Sequence, residues 1–204
     1  MFHVKHEQLR DVARWAGIPL AADLEARLAA VADWLATEGI EAGGIGPNEG
    51  PQVWERHILD SLMFAGGWEE LPDEVVDVGT GIGLPGIPLA VAVPQVRWVL
   101  VDRSGRRIRL IRRAIRRFEL ANAEAVESEA DAFFAGGGRP AVVMRGVFQP
   151  DALEAFVGSA VSPGGRLVVG AGREPVPVLG SELIRFPGSS VLAPGRWLRI
   201  MRRP

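Results

Sequence analysis

The sequence predicts a doubly wound α/β domain, built on a mostly parallel seven-stranded sheet, with an N-terminal helical extension. Three observations carry that expectation. Short apolar runs at 75–78, 97–101, 123–127, 141–144 and 166–169 alternate with helical stretches, the signature of a parallel sheet covered on both faces. Two further runs, 183–186 and 197–201, are separated by turn residues, as in a terminal hairpin. The first 70 residues instead repeat their apolar residues at helical spacing. The division expected is therefore an extension over 1–70 and the sheet domain over 71–204.

Taken in order, Leu9, Val12, Ala13 and Ala16 mark one face of a first helix, which Gly17-Ile18-Pro19 stops. Leu24, Leu28, Val31 and Leu35 form the stripe of a second helix over 21–38, and Gly39 is expected to open a loop running to Pro51. A short helix follows, with Trp54, Ile58, Leu59 and Leu62 inward. The strand at 75–78 runs into a glycine-rich turn and a helix over 84–93. After the strand at 97–101 comes a long helix over 104–120, and a last helix over 151–161 precedes the strand at 166–169.

Composition narrows the chemistry. The chain has 204 residues, 48% of them hydrophobic and 24% charged, which suits one domain with a real core. No apolar run is long enough to span a membrane, and Met1 to Glu7 lacks the layout of a secretory leader, so a cytoplasmic protein is expected. There is no cysteine, which removes disulfides, thiolate zinc sites and cysteine nucleophiles. Tyrosine is also absent, and of three histidines only His57 lies away from the N-terminus, so no metal site is expected. The net charge of −2 is unevenly spread: residues 1–80 hold fifteen acidic and five basic side chains, residues 97–117 nine Arg and one Asp. That asymmetry suits an anionic partner and equally a solvated helix flank.

The sharpest motif is Asp77-Val78-Gly79-Thr80-Gly81-Ile82-Gly83-Leu84-Pro85-Gly86, a strand entering a turn of alternating glycines and then a helix. Bare backbone there lets a nucleotide-like ligand approach closely. Two carboxylates favour S-adenosylmethionine over a dinucleotide. Asp77 is placed to attract a cationic methionine end, and Asp102, ending the next strand, to accept hydrogen bonds from ribose hydroxyls. The same carboxylate also suits an NAD enzyme, or a cap on the helix that starts at Ser104. Without cysteine, C5 methylation of a pyrimidine lacks its nucleophile. The stretch Met144-Arg145-Gly146-Val147-Phe148 lacks the motif typical of adenine-amine methylation. Guanine N7 has a free lone pair and needs no base, so alignment alone suffices.

Arg56-His57-Ile58-Leu59-Asp60-Ser61-Leu62, paired with the run from Asp77 through Gly86 to Ala90, closely resembles the ribosomal RNA small subunit methyltransferase G family, formerly glucose-inhibited division protein B. Weaker similarity runs from about Leu24 to Val169. The resemblance implies a Rossmann-like class I fold and transfer of methyl from S-adenosyl-L-methionine to guanine N7 in 16S ribosomal RNA. The partner implied is the 30S subunit, and the protein a monomer. It implies cofactor contacts from Asp77, Gly79, Gly81, Gly83, Leu84, Asp102, Ala130, Asp131 and Arg145, with Arg145 also the catalytic candidate. Arg56 and His57 are expected on the substrate side, His57 as a buried, hydrogen-bonded member of a pair with Asp60.

The chain departs from the family pattern at Gly43-Gly44-Ile45, at Glu129 where an Arg is common, and at Gly170-Ala171 where a Lys is usual. These departures bear on RNA binding more than on cofactor binding. They leave open a member acting on another RNA or a small molecule, or a ribosome-assembly protein of low turnover. The helix carrying Ile108, Ile111, Ile115 and Phe118 on one face turns Arg106, Arg109 and Arg113 outward, as RNA contacts or as a solvated face.

Overall fold

In a computed structural model of the chain, the structure describes residues 2–146, 152–172, 175, 177–193 and 196–204. The N-terminal part consists of helices joined by turns. Helix α1 (Phe2–Ala16) buries Leu9, Val12, Ala13 and Ala16, and α2 (Leu24–Trp34) buries Leu24, Leu28 and Val31. Here the structure corrects the sequence reading: the chain does not leave the helix at Gly39. It widens into a π-helical turn (Leu35–Gly39) and stays helical to Glu41. Gly39 is buried against the glycine turn, where a Cβ would come within 3.2 Å of Ile82 Cδ1. A second π-helical turn (Trp54–Leu59) leads into the short α3 (Asp60–Leu62) and a 3₁₀ segment (Met63–Gly67), with Trp54, Ile58, Leu59 and Leu62 buried as expected.

The sheet follows with β1 (Glu74–Val78), α4 (Gly86–Ala92), β2 (Arg97–Asp102), α5 (Gly105–Arg117), β3 (Ala123–Glu127), α6 (Ala130–Phe134) and β4 (Arg139–Met144). It is completed by α7 (Leu153–Ala160), β5 (Val161–Gly172), β6 (Ser181–Phe186) and β7 (Arg196–Arg202). The expected start of α7 at residue 151 lies outside the described residues. Helix α4 begins two residues later than the periodicity suggests, since Leu84 and Pro85 still belong to the turn. Strand β5 is longer than expected: Val161 pairs with Arg139, and regular pairing resumes at Arg166 opposite Ala141. Helix α6 was not expected at all.

Strand order is β3-β2-β1-β4-β5-β7-β6, the first five parallel and β7 antiparallel to both its neighbours. The period of two along each strand sorts side chains into two cores. Val75, Trp98, Leu100, Val143 and Val168 join α1 to α5 on one face, while Val76, Val78, Val99, Val142 and Leu167 join α6 and α7 on the other. The N-terminal helices thus share one continuous core with the sheet. They also reach the far end of the chain: Trp15 packs edge-on against Phe186 at 5.6 Å, and Gln8 Nε2 donates to the Val191 carbonyl at 2.9 Å.

Candidate active site

Between β1 and β4 the strand order reverses, and open α/β sheets place their ligand crevice at such a point, beyond the carboxyl ends of the strands. A crevice of about 660 Å³ lies there. Val78 and Gly79 line it from the end of β1, Val101 and Asp102 from β2, Ser128 to Ala130 after β3, and Arg145 and Gly146 after β4. Gly44, one of the departures from the family pattern, forms part of the wall.

The glycine turn is held from below. Gly79 and Gly81 adopt φ of 66° and 64°, a left-handed conformation that larger side chains resist. A Cβ on Gly81 would meet nothing closer than the Gly79 carbonyl at 3.9 Å, so the space above it is open. Gly83 faces the other way, where a Cβ would overlap Ile87 of α4. Leu84 is buried in the core under the turn. Asp77 is fully buried, and its Oδ2 accepts hydrogen bonds from Thr80 Oγ1 at 2.7 Å and from the Gly86 N–H at 2.8 Å. The carboxylate expected beside the cofactor's cationic end therefore lies beneath the turn, fastening it to the start of α4. Burial pushes this carboxyl up to about 7, against the opposing pull of the two hydrogen bonds and of Arg145.

Asp102 is buried but opens onto the crevice. Its Oδ2 accepts from the Gly81 N–H at 3.0 Å and lies 3.5 Å from Arg107 Nη1, while Oδ1 accepts from the Ser104 N–H at 2.8 Å. It thus supports the start of α5, whose N-cap is Ser104, and faces the crevice as well. A carboxylate offers about four acceptor positions, so capacity remains for a sugar hydroxyl. The open space over Gly81, bordered by the Asp102 carboxylate, fits the nucleoside of S-adenosylmethionine. Asp77 Oδ1 is buried beneath the turn with no hydrogen-bond partner among the described residues, and burial favours its protonated form.

Arg145 is the junction of the site. Its Nη2 lies 2.8 Å from the Arg56 carbonyl, 3.2 Å from His57 Nδ1 and 3.0 Å from Asp60 Oδ2. The Arg56-to-Leu62 segment is thus the cradle of this guanidinium. His57 is buried, with Nε2 2.7 Å from Glu49 Oε2. With Arg145 donating to Nδ1, the ring proton belongs on Nε2, donated to Glu49. Burial, helped by the Arg145 charge, lowers the His57 pKa and outweighs the raising effect of Glu49 and Asp60, so the ring is neutral. His57 therefore positions Arg145, while Arg56 is exposed and hydrogen-bonds Gln52 at 3.2 Å. A second cavity of about 220 Å³ adjoins the crevice and shares Arg145 and Gly146 with it.

Of the expected cofactor contacts, Gly79, Asp102, Ala130 and Arg145 come together around the crevice and Gly81 adjoins them, whereas Asp77, Gly83 and Leu84 lie beneath it. Asp131 is exposed in the first turn of α6, outside the lining. Arg103, Arg107 and Ser128 line the crevice unforeseen, although the rule that ligands gather after strand carboxyl ends points to all three. Arg103 approaches Glu129 at 3.9 Å, so cations do reach the wall where the family's Arg is missing. Arg106, Arg109 and Arg113 line a separate groove of about 500 Å³ with Glu38 and Glu41. Arg113 pairs with Glu38 at 3.2 Å, while Arg106 and Arg109 have no ion pair among the described residues. Val147 and Phe148 lie outside the described residues. Among the described residues, no cluster of acidic or His side chains is grouped to hold a metal, and no helix is long and apolar enough to cross a membrane.

Comparisons with known proteins give the chain a family. Residues 25–176 match the family model for rRNA small subunit methyltransferase G. The ribosomal RNA small subunit methyltransferase G of Mycobacterium marinum is 40% identical over 125 residues, covering 60% of this chain and 54% of the relative. That of Salinispora tropica is 37% identical over 148 residues, covering 68% and 60%. That of Corynebacterium diphtheriae is 32% identical over 191 residues, covering 93% and 77%. The chain thus spans little more than half the length of the first two relatives. Among solved structures, the glycopeptide N-methyltransferase MtfA superposes with a TM-score of 0.51 at 13% identity, over 66% of this chain and 90% of that one. At that identity the likeness concerns the Rossmann-like fold alone.

Proposed function

The chain belongs to the rRNA small subunit methyltransferase G family, and from that premise we propose that it transfers a methyl group from S-adenosylmethionine to N7 of a guanine in 16S ribosomal RNA. The observation that carries the reading is the crevice itself: bare backbone at Gly79 and Gly81 faces a carboxylate, Asp102, at the end of the neighbouring strand. When bound, the cofactor supplies an electrophilic methyl group on a sulfonium. In this reading Asp102 accepts from the sugar hydroxyls, and the turn gripped by Asp77 leaves room for the rest of the nucleoside. Gly79, Gly81, Gly83, Leu84, Ala130 and Asp131 complete that side, directly or by shaping the turn.

Guanine N7 attacks with a lone pair and loses no proton, so the site needs alignment and no base. The absence of Cys and Tyr and the neutral, engaged state of His57 agree with such chemistry. Arg145 is the residue that orients the guanine, through O6 or a backbone phosphate, with N7 left free. Arg56, Arg106, Arg109 and Arg113 contribute phosphate contacts, and His57 acts through Arg145. The protein acts as a monomer on the 30S subunit in the cytoplasm. Undermethylated 30S subunits incubated with the chain and labelled cofactor should gain one methyl at a guanine N7, mapped by cleavage at the modified base. Label in another RNA only would favour the second reading, a divergent substrate, which the missing cations at Glu129 and Gly170 motivate.

A further inference from the structure

The 220 Å³ cavity is lined by Asp60, Met63, Phe64, Arg145, Gly170 and Trp197, among other described residues. It meets the cofactor crevice at Arg145 and Gly146, so a group held in it faces the cofactor side across one residue. Cavities of about 150 Å³ accept a benzene ring, and 220 Å³ accommodates a bicyclic purine. Phe64 and the half-buried Trp197 supply aromatic walls, and the Arg185 guanidinium, 5.4 Å from the Trp197 ring, backs that indole. A side chain at Gly170 would press within 3.2 Å of the Phe64 ring, so the bare backbone at that departure keeps the cavity open.

The polar part of the wall is a matched pair. Arg145 Nη2 and Asp60 Oδ2 stand 3.0 Å apart, and both residues line the cavity. Side by side they offer N–H donors and carboxylate acceptors. Guanine presents the complement: O6 accepts, while N1–H and the 2-amino group donate. Adenine presents a donor at N6 and an unprotonated N1, which mismatches both. Reading guanine from this edge leaves N7, on the other edge, open to attack.

Resting on the methyltransferase reading above, we propose that this cavity is the acceptor-base pocket and that Asp60, by accepting from guanine N1–H and the 2-amino group, determines its specificity. Binding separates the proposal from the activity. Guanosine, inosine and adenosine 5′-monophosphates are titrated into the full chain with S-adenosylhomocysteine present, followed by NMR. The wild type should bind the guanine nucleotide about tenfold tighter than inosine, which lacks the 2-amino group. In Asp60→Asn and Asp60→Ala that preference should shrink to threefold or less, with S-adenosylhomocysteine affinity measured alongside by calorimetry so that any change passed on through Arg145 is separated from base selectivity. Equal wild-type binding of all three nucleotides overturns the proposal without any variant. An equal loss for guanine and inosine in the variants does so too, since it marks Asp60 as a mere support for Arg145. Intact guanine preference without methyl transfer to 30S subunits would count against the proposed function and leave the pocket standing.

Discussion

At the scale of single residues, Asp77 makes stability depend on pH. Its carboxyl titrates near 7 in the folded chain against an ordinary 3.8. The folded state therefore keeps a proton that the unfolded chain has already lost, and the associated stability is full below pH 4 and gone above 7. Over that window the wild type should lose on the order of 2–4 kcal/mol from this group alone. Asp77→Asn has no such titration. In urea melts it should match the wild type near pH 4 within about 1 kcal/mol and exceed it at pH 8. A parallel pH dependence in both proteins would mean that the buried carboxyl does not titrate there. The motif made Asp77 visible in the sequence but not its depth, which depends on Gly86 letting α4 close over it: a Cβ there would overlap Leu100 and stand 2.7 Å from Asp77 Oδ2. His57 was visible as a buried, hydrogen-bonded histidine, as it is, but its hold on Arg145 was not, because that residue is 88 positions away.

At the scale of elements, the central strands β1, β2 and β4 were the easiest to foresee, since burial on both faces leaves continuous apolar runs. Helix α6 escaped because five residues are too few to display a helical period. The π-helical turns escaped for a related reason, as the apolar stripe of α2 continues through Leu35 unchanged. What the first of them does is tertiary. Gly39 and Gly44 leave a notch that receives Ile82 of the glycine turn, so the extension packs directly on the cofactor loop. Helix α5 was legible with its exposed Arg face, although it stops at Arg117 rather than 120, yet its pairing with Glu38 was not. That pairing divides the face. Arg113 and Arg117 are engaged by protein, whereas Arg106 and Arg109 are available to phosphate. Replacing Arg106 and Arg109 together by Ser should weaken RNA binding and lower the salt slope by about 2. An unchanged slope in filter binding would assign the face to solvent.

At the scale of the whole molecule, the chain's two ends support one another. Phe186 is buried against Trp15, and Trp15 in turn lies against the bare backbone of Gly66. Phe186→Ala should cost about 3–5 kcal/mol, the usual range for removing a buried aromatic ring. Because the N-terminal helices and the sheet share a core, the loss should shift one cooperative unfolding transition. Two separate transitions by fluorescence and circular dichroism would show that the ends melt independently. None of this long-range closure could be read from local periodicity, whereas the strand count and the position of the glycine turn could.

Arg145 closes off two hollows at once, and one side chain cannot adjust to a guest on its left without altering the offer on its right. With cofactor and base in the two hollows as proposed, thermodynamic reciprocity would make them mutual effectors: whatever factor the nucleoside cofactor applied to the affinity for the base, the base would return to the cofactor unchanged.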